Sequence, residues 1–460
     1  MKKVLSILLV AIMVCSLAAC NSGASNSAST PAPSNAASGA GSDPSATGDA
    51  PQFDNVELEY WFEGAGPDRT PIHEGIINGF NALDNGINVT GVYVDLTNGN
   101  DKVSTAFAGG MLPDVIYAQD SWKSMMTAQG MLVQLDDRFE AWDDHNQFTE
   151  ASLMRDRWMD SERRLFFIPC ATNITGIWYR QDVFKDKGVE APTTWDNFFN
   201  GIEALTYEEG GSRYYGYTLR GGQGSTNTLV NMIECYVGMD DFWSEDGKAQ
   251  ILRSAEAEEF VNRMSAIYQN GQTPESSLTA SFNEMVADFN AGIAMVMNHN
   301  LGSYENQRQT FEPDQYAFLP FPPAINGKLT EEIGSVKSLC ISVHTKNEDA
   351  AWEYVKWNAS HEAISAINEA VGELPTRIDA ASDDWVKNAP HMSNLPAYQA
   401  AEKQSIMTPR YLPDYNSVYT KEYAEPTFQA VLVGQVSARD FLDGWADLLE
   451  AGYAEYLANA

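Results

Sequence analysis

Asp120, Asn173, Glu63 and Asn298 are side chains able to hold a guest through paired hydrogen bonds, because a carboxylate accepts twice and a primary amide both donates and accepts. Trp61, Trp122, Trp243, Tyr415 and Tyr419 supply ring faces on which an apolar surface can stack. Ser121 adjoins Asp120, His299 adjoins Asn298, and Arg220 and Glu373 stand beside glycines in turn-like segments. Each has a plainer use. Asp120 can cap a helix, Asn173 can hold a turn, and His299 can be satisfied within one. Trp122 shares a helical face with Met125 and Met126, which favours a place in the core, whereas Trp243 has no apolar partner in register, which favours a cleft. Reaction chemistry leaves no comparable mark. GxSxG, HExxH, P-loop and strand-linked GxGxxG patterns are missing, and no second histidine stands at metal spacing from His299. With 63 Asp and Glu, a carboxylate pair suited to glycoside hydrolysis can arise, but sequence does not measure its separation. A secreted glycosidase therefore stays as the contrasting reading, while no metal, cofactor or catalytic residue is expected.

Position decides among these residues, and position follows from the elements. Val56, Leu58, Tyr60 and Phe62 alternate with Glu57, Glu59 and Trp61, a strand with one face buried. It ends at Glu63-Gly64-Ala65-Gly66-Pro67, and the carboxyl end of a first strand is where open α/β sheets place ligand contacts. Thr70-Pro71 starts a helix with Ile72, Ile76, Ile77 and Phe80 inward, and residues 87–94 read as a second strand. Residues 114–118 are a third strand; Ser121 can cap the helix that follows and Gly130 closes it, so Asp120, Ser121 and Trp122 sit at the mouth of the sheet. Pro169 and the polar Ala171-Thr172-Asn173 precede a new strand at 174–179, as in a chain crossing between two packed units. Thr193 and Asp196 can form a capping box for a helix carrying Trp195, Phe198, Phe199 and Ile202. Residues 214–219 read as a strand ending at Arg220-Gly221-Gly222, and 293–297 as one leading to Asn298-His299-Asn300. Further strands at 316–321 and 339–343, then a helical last hundred residues, predict two α/β lobes with exchanged segments.

The chain opens MKKVLSILLVAIMVCSLAAC, two lysines, an apolar run too short to span a bilayer, and small residues before Cys20. This reads as an export signal over 1–19, and Leu-Ala-Ala-Cys resembles a bacterial lipobox, with lipidation expected at Cys20. Residues 20–52, nearly all Ser, Ala, Gly, Asn and Pro, cannot bury a core and suit a flexible tether. The expected location is the cell membrane, lipid-anchored on its extracytoplasmic face. A net charge of −34 argues against nucleic acid as partner. Cys170, Cys235 and Cys340 lie far apart without CxxC spacing, as buried free thiols would.

Four motifs carry a family resemblance. Gly109-Gly110-Met111-Leu112-Pro113-Asp114-Val115, continuing to Gly130-Met131-Leu132 and Leu135-Asp136-Asp137, is similar to a PDV…LDD signature. Pro169, Thr172, Asn173, Tyr179, Phe184, Gly188, Pro192, Thr194 and Trp195 resemble a P-x-x-TN…P-x-TW signature, with Arg180 where Asn is usual. Phe289-Asn290-Ala291-Gly292-Ile293-Ala294-Met295 is similar to F-x-x-G-x-A-M, and the helix at 350–357 with Gly372-Glu373-Leu374-Pro375 resembles the late helix and G-x-LP turn. Together they resemble the family 1 extracellular solute-binding proteins, the carbohydrate receptors of ATP-binding cassette importers. The resemblance implies an α/β periplasmic-binding-protein-like (type II) two-lobe fold with a helical C-terminal region. It implies lobes at 53–168 plus 300–357 and at 172–297 plus 360–460, with hinge crossings near 169–173, 297–300 and 357–360. It also implies a monomer that captures an oligosaccharide, with Asp120 as a sugar-binding acid, and delivers it to permease subunits. A sugar-sensing receptor without transport is the other reading.

Overall fold

The alternating run at 56–62 forms β1 (Val56–Gly64) in the computed structural model, which describes residues 52–458 apart from 65–68, 96–98, 332–334, 396–400 and 402. The signal, Cys20 and the tether up to 51 lie outside the described residues. The later strands are β2 (Ile87–Asp95), β3 (Val115–Ala118), β4 (Ile168–Thr172), β5 (Thr175–Tyr179), β6 (Tyr207–Glu209), β7 (Ser212–Tyr214), β8 (Val296–Asn300), β9 (Ala317–Pro320), β10 (Leu329–Glu331), β11 (Val336–Ile341), β12 (Leu374–Pro375) and β13 (Lys403–Ser405). One sheet has the order β12-β4-β11-β3-β1-β2, a second β8-β5-β9, and β10 with β13 and β6 with β7 pair separately. β1 runs parallel to β2 and β3, as helical crossovers between them require, and β11 runs antiparallel between β3 and β4.

Pro71 lies in the first turn of the helix Thr70–Asn81, where a missing N–H costs nothing. That helix buries Ile76, Ile77 and Phe80, but Ile72 is only half-buried. One core holds Leu58, Tyr60, Phe62, Phe80, Val115, Leu339 and Trp352. A larger one runs from Ile116 and Trp122 through Trp195 and Phe260 to Trp445. Each fully buried Leu or Phe in such a core contributes about 1.5–3 kcal/mol. Cys170, Cys235 and Cys340 are buried and form no disulfide with one another. No helix among the described residues is long and apolar enough to cross a membrane.

β4 and β5 are consecutive yet belong to different sheets, so Asn173 and Ile174 form the whole connection. β5 is flanked by β8 and β9, and Gly176 is required there, since a Cβ would sit 2.3 Å from the Leu319 carbonyl oxygen. Several boundaries differ from the sequence pattern. Thr194, not Thr193, caps the helix Trp195–Ala204 by accepting the Asn197 N–H at 3.1 Å, which lets the helix begin on buried Trp195; Asp196 turns outward to Arg263 at 3.2 Å. The helix after β3 begins at Asp120 itself, with Gln119 at the cap position that Ser121 was expected to fill. Of the strand expected at 214–219, only Tyr214 lies in a ladder; Tyr215 makes an isolated bridge, donating to the Ile293 carbonyl and accepting the Met295 N–H, and the Thr218 N–H donates to the Val296 carbonyl. The strand expected at 293–297 is shifted to Val296–Asn300, which draws Asn298 and His299 into the sheet. The segment 300–357 contributes to both sheets, β11 to the first and β9, paired with β5, to the second, while 360–460 adds β12 to the first beside β4.

Candidate functional site

A cleft of about 640 Å³ opens where β3, the β4–β5 joint and the helix Ser225–Val237 converge. Asp120 reaches it because β3 ends two residues earlier, at Ala118, and the helix Asp120–Ala128 starts there. Its carboxylate accepts Arg155 Nη2 at 3.2 Å and the Val336 N–H at 3.3 Å, with Lys123 Nζ 3.4 Å away. Burial pushes the carboxyl pKa up, but Arg155, Lys123 and Arg410 outweigh it and hold the group below its ordinary value. Behind it, fully buried Lys123 donates to Asp156 Oδ1 at 2.6 Å, the Val336 carbonyl at 2.6 Å and Ser338 Oγ at 2.7 Å. Such a cluster adds little net stability but fixes its members in place, because losing one partner leaves a buried charge exposed to a low dielectric.

Asn173, 1% exposed, lies in the joint between the sheets. Its backbone N–H donates to the Ser335 carbonyl at 3.1 Å, while its Oδ1 has no hydrogen-bond partner among the described residues. Glu373 stands next to β12 and accepts Lys337 Nζ at 2.7 Å and Arg69 Nη2 at 3.3 Å on Oε1, leaving Oε2 without one. Burial raises its pKa, but Lys337 and Arg69 prevail and bring it to about 2. His299 lines the cleft, shares a 2.7 Å hydrogen bond with Ser303 Oγ and lies 4.5 Å from the Phe282 ring; burial, then Arg220, lower its pKa to about 3, so the imidazole is neutral. Ser121 and Arg220 also line the cleft.

Other expected residues lie elsewhere. Asn298 is sealed inside the sheet: its Oδ1 accepts the Tyr217 hydroxyl at 2.6 Å and its Nδ2 donates to the Gly176 carbonyl at 3.2 Å. Trp243 stacks on Tyr453 of the C-terminal helix at 4.1 Å and 6°, donates to the Tyr411 hydroxyl at 2.7 Å, and borders a separate recess with Asp241 and Gln250. Trp122 is core, packed against Gly99, and Trp61 lies under Lys102 Nζ at 4.3 Å. Tyr415 and Tyr419 are buried, while the residue after each, Asn416 and Thr420, faces the cleft from the π-helical segment Tyr415–Ala424. The Glu63 side chain lies outside the described residues.

The cleft wall also contains groups that the sequence pattern did not single out. Arg69, Asn227, Asn231, Phe282, Lys337 and Arg410 line it, and Arg410 Nη2 donates to Asn231 Oδ1 at 2.7 Å and to the Asn227 carbonyl at 3.2 Å. These residues come from loops, two helices and strand β11 spread along the chain, and no local motif marks them. The arrangement offers amides, carboxylates and guanidinium groups at close range, chemistry suited to binding a polyhydroxyl guest.

Comparison with known proteins gives the same picture at the level of fold. The family described as bacterial extracellular solute-binding protein matches residues 65–364. The multiple sugar-binding protein of Streptococcus mutans is 26% identical over 241 residues, 50% of this chain and 54% of that protein, so the chain spans about half the length of this relative. Maltose-bound MalE3 of T. maritima superposes with a TM-score of 0.71 at 20% identity, covering 86% of this chain and 99% of that one. A Thermotoga lettingae ABC transporter solute-binding protein bound with α-D-tagatose gives 0.71 at 17% identity over the same shares. These two likenesses place the fold among type II, two-lobed binding proteins.

Proposed function

Because the chain belongs to the bacterial extracellular solute-binding proteins, we propose that it captures a carbohydrate, an oligosaccharide, between its lobes and delivers it to the permease of an ATP-binding cassette importer. The observation that carries this reading is the cleft wall itself. Asn173 Oδ1 and Glu373 Oε2 are buried acceptors without partners among the described residues, beside the ionised Asp120, in a cavity of about 640 Å³. Sugar hydroxyls donate to such acceptors, and buried acceptors left unsatisfied cost about 1–3 kcal/mol each. Phe282 offers a ring face for an apolar patch of sugar C–H groups. Asp120 and Glu373 are both held ionised by neighbouring cations, which suits them to accept sugar hydroxyls.

In this reading Cys20 carries the acyl chains and 20–52 is the tether to the extracytoplasmic face of the membrane. The lobes, one around the sheet β12-β4-β11-β3-β1-β2 and the other around β8-β5-β9, close on the ligand by bending near 169–173, 297–300 and 357–360. The two-residue joint at Asn173 and Ile174 supports the first of these bends. A thermal-shift screen of the purified protein against mono- and oligosaccharides tests the proposal. A rise in unfolding temperature with one structurally related group of sugars is expected; no rise across a broad panel would sink it.

A further inference from the structure

The charge of the cleft opposes that of the molecule. The chain carries a formal net charge of −34, yet four arginines and two lysines face the cleft, namely Arg69, Arg220, Arg308, Arg410, Lys337 and Lys421. Four carboxylates oppose them. Glu373 is already shared by Lys337 and Arg69, Glu305 pairs with Arg308, and Asp120 is held from behind by Arg155 and Lys123. Glu425 is the fourth, and it marks the most cationic corner.

At that corner Arg220 Nε donates to the Gln223 carbonyl at 2.6 Å, and no carboxylate among the described residues lies within 4.0 Å of its guanidinium. The guanidinium lies so close to Gly224 that a Cβ there would be 2.1 Å from Nη2. Gly224 is the N-cap of the helix Ser225–Val237, whose Asn227, Thr228 and Asn231 line the cleft. A helix N-terminus is a partial positive charge, and here it converges with the half-buried Arg220 guanidinium and with Arg410, which donates to Asn231. Glu425 accepts the Gly224 N–H, and burial raises its pKa against the pull of that hydrogen bond, Arg220 and Lys421. Ser225 Oγ and Thr226 Oγ1, both buried in the first turn, have no hydrogen-bond partner among the described residues.

We propose that the saccharide this cleft takes is anionic, a uronate-bearing oligosaccharide whose carboxylate is received by Arg220 at the N-terminal end of the helix Ser225–Val237. The proposal rests on the sugar-receptor reading and narrows its substrate class. A planar carboxylate matches the guanidinium fork, and a second uronate along the chain would meet Arg410.

Calorimetric titration with oligomers of galacturonate, glucuronate and mannuronate, each beside its carboxyl-reduced neutral counterpart, tests it. At least one acidic oligomer is expected to bind about tenfold or more tighter than its neutral counterpart, with a gap that narrows as salt is raised. Arg220→Gln is expected to close that gap, Arg220→Lys to keep part of it, and Glu425→Gln to widen it, with thermal unfolding showing that each variant folds. Neutral oligomers that bind as tightly as their acidic partners throughout would overturn the anionic assignment and leave the sugar receptor standing. Binding of neither class would overturn both.

Discussion

Two buried imidazoles, His73 and His391, and the half-buried His299 are kept neutral by their surroundings, and this shapes how the protein responds to acid. His73 shares a 3.2 Å hydrogen bond with the Tyr60 hydroxyl and stacks on Phe62 at 4.5 Å; burial, with Arg69 and Lys337 nearby, lowers its pKa from 6.5 to about 3. His299 falls to about 3 and His391 to about 4, each chiefly by burial. The unfolded chain therefore takes up protons near pH 6.5 that the folded chain refuses, so stability present above pH 6.5 is lost progressively as pH falls toward the folded values. Glu373 acts lower, since its contribution is present above 4.5 and lost as pH falls through about 2. The unfolding temperature is thus expected to decline from about pH 6.5 downward, and His73→Gln to flatten the decline. Thermal denaturation between about pH 7.5 and pH 4 checks this; equal slopes for both proteins would contradict it.

At the scale of elements, what a local pattern could reveal depended on where each residue's partners come from. Asp120 and Ser121 were legible because a short apolar strand running into a helix start marks the sheet mouth within a few residues. Asn173 was legible for a similar reason, as a polar residue between two apolar strands. Trp243 was misread because its partner ring, Tyr453, belongs to the helix Ala438–Ala458, near the other end of the sequence. Asn298 was misread because β8 starts three residues later than its apolar run suggests. Arg69, Lys337 and Arg410 carry no local signal, since the cleft forms only when separate segments meet. The Trp243 correction is testable. Trp243→Ala removes a stacked pair and a hydrogen bond, and is expected to destabilise the fold by about 3–5 kcal/mol in chemical denaturation while leaving sugar affinity unchanged. A loss of affinity with intact folding would return Trp243 to the binding site.

At the scale of the whole molecule, two sheets joined through Asn173 and Ile174 hold a cleft whose wall is set before any ligand arrives. The buried Lys123, Asp156, Ser338 and Arg155 fix Asp120 from behind, and Lys337 with Arg69 fix Glu373, so little side-chain freedom is left to lose on binding. That preorganised wall, with Asn173 at the joint, is the centre of the account. Calorimetric titration of the parent protein, Asp120→Asn and Asn173→Ala with the sugar that stabilises it most tests this centre directly. Saturable binding by the parent, weakened by about 1.5–3 kcal/mol in each variant, is predicted. Unchanged affinity in both folded variants, or no saturable heat with the parent, would contradict it.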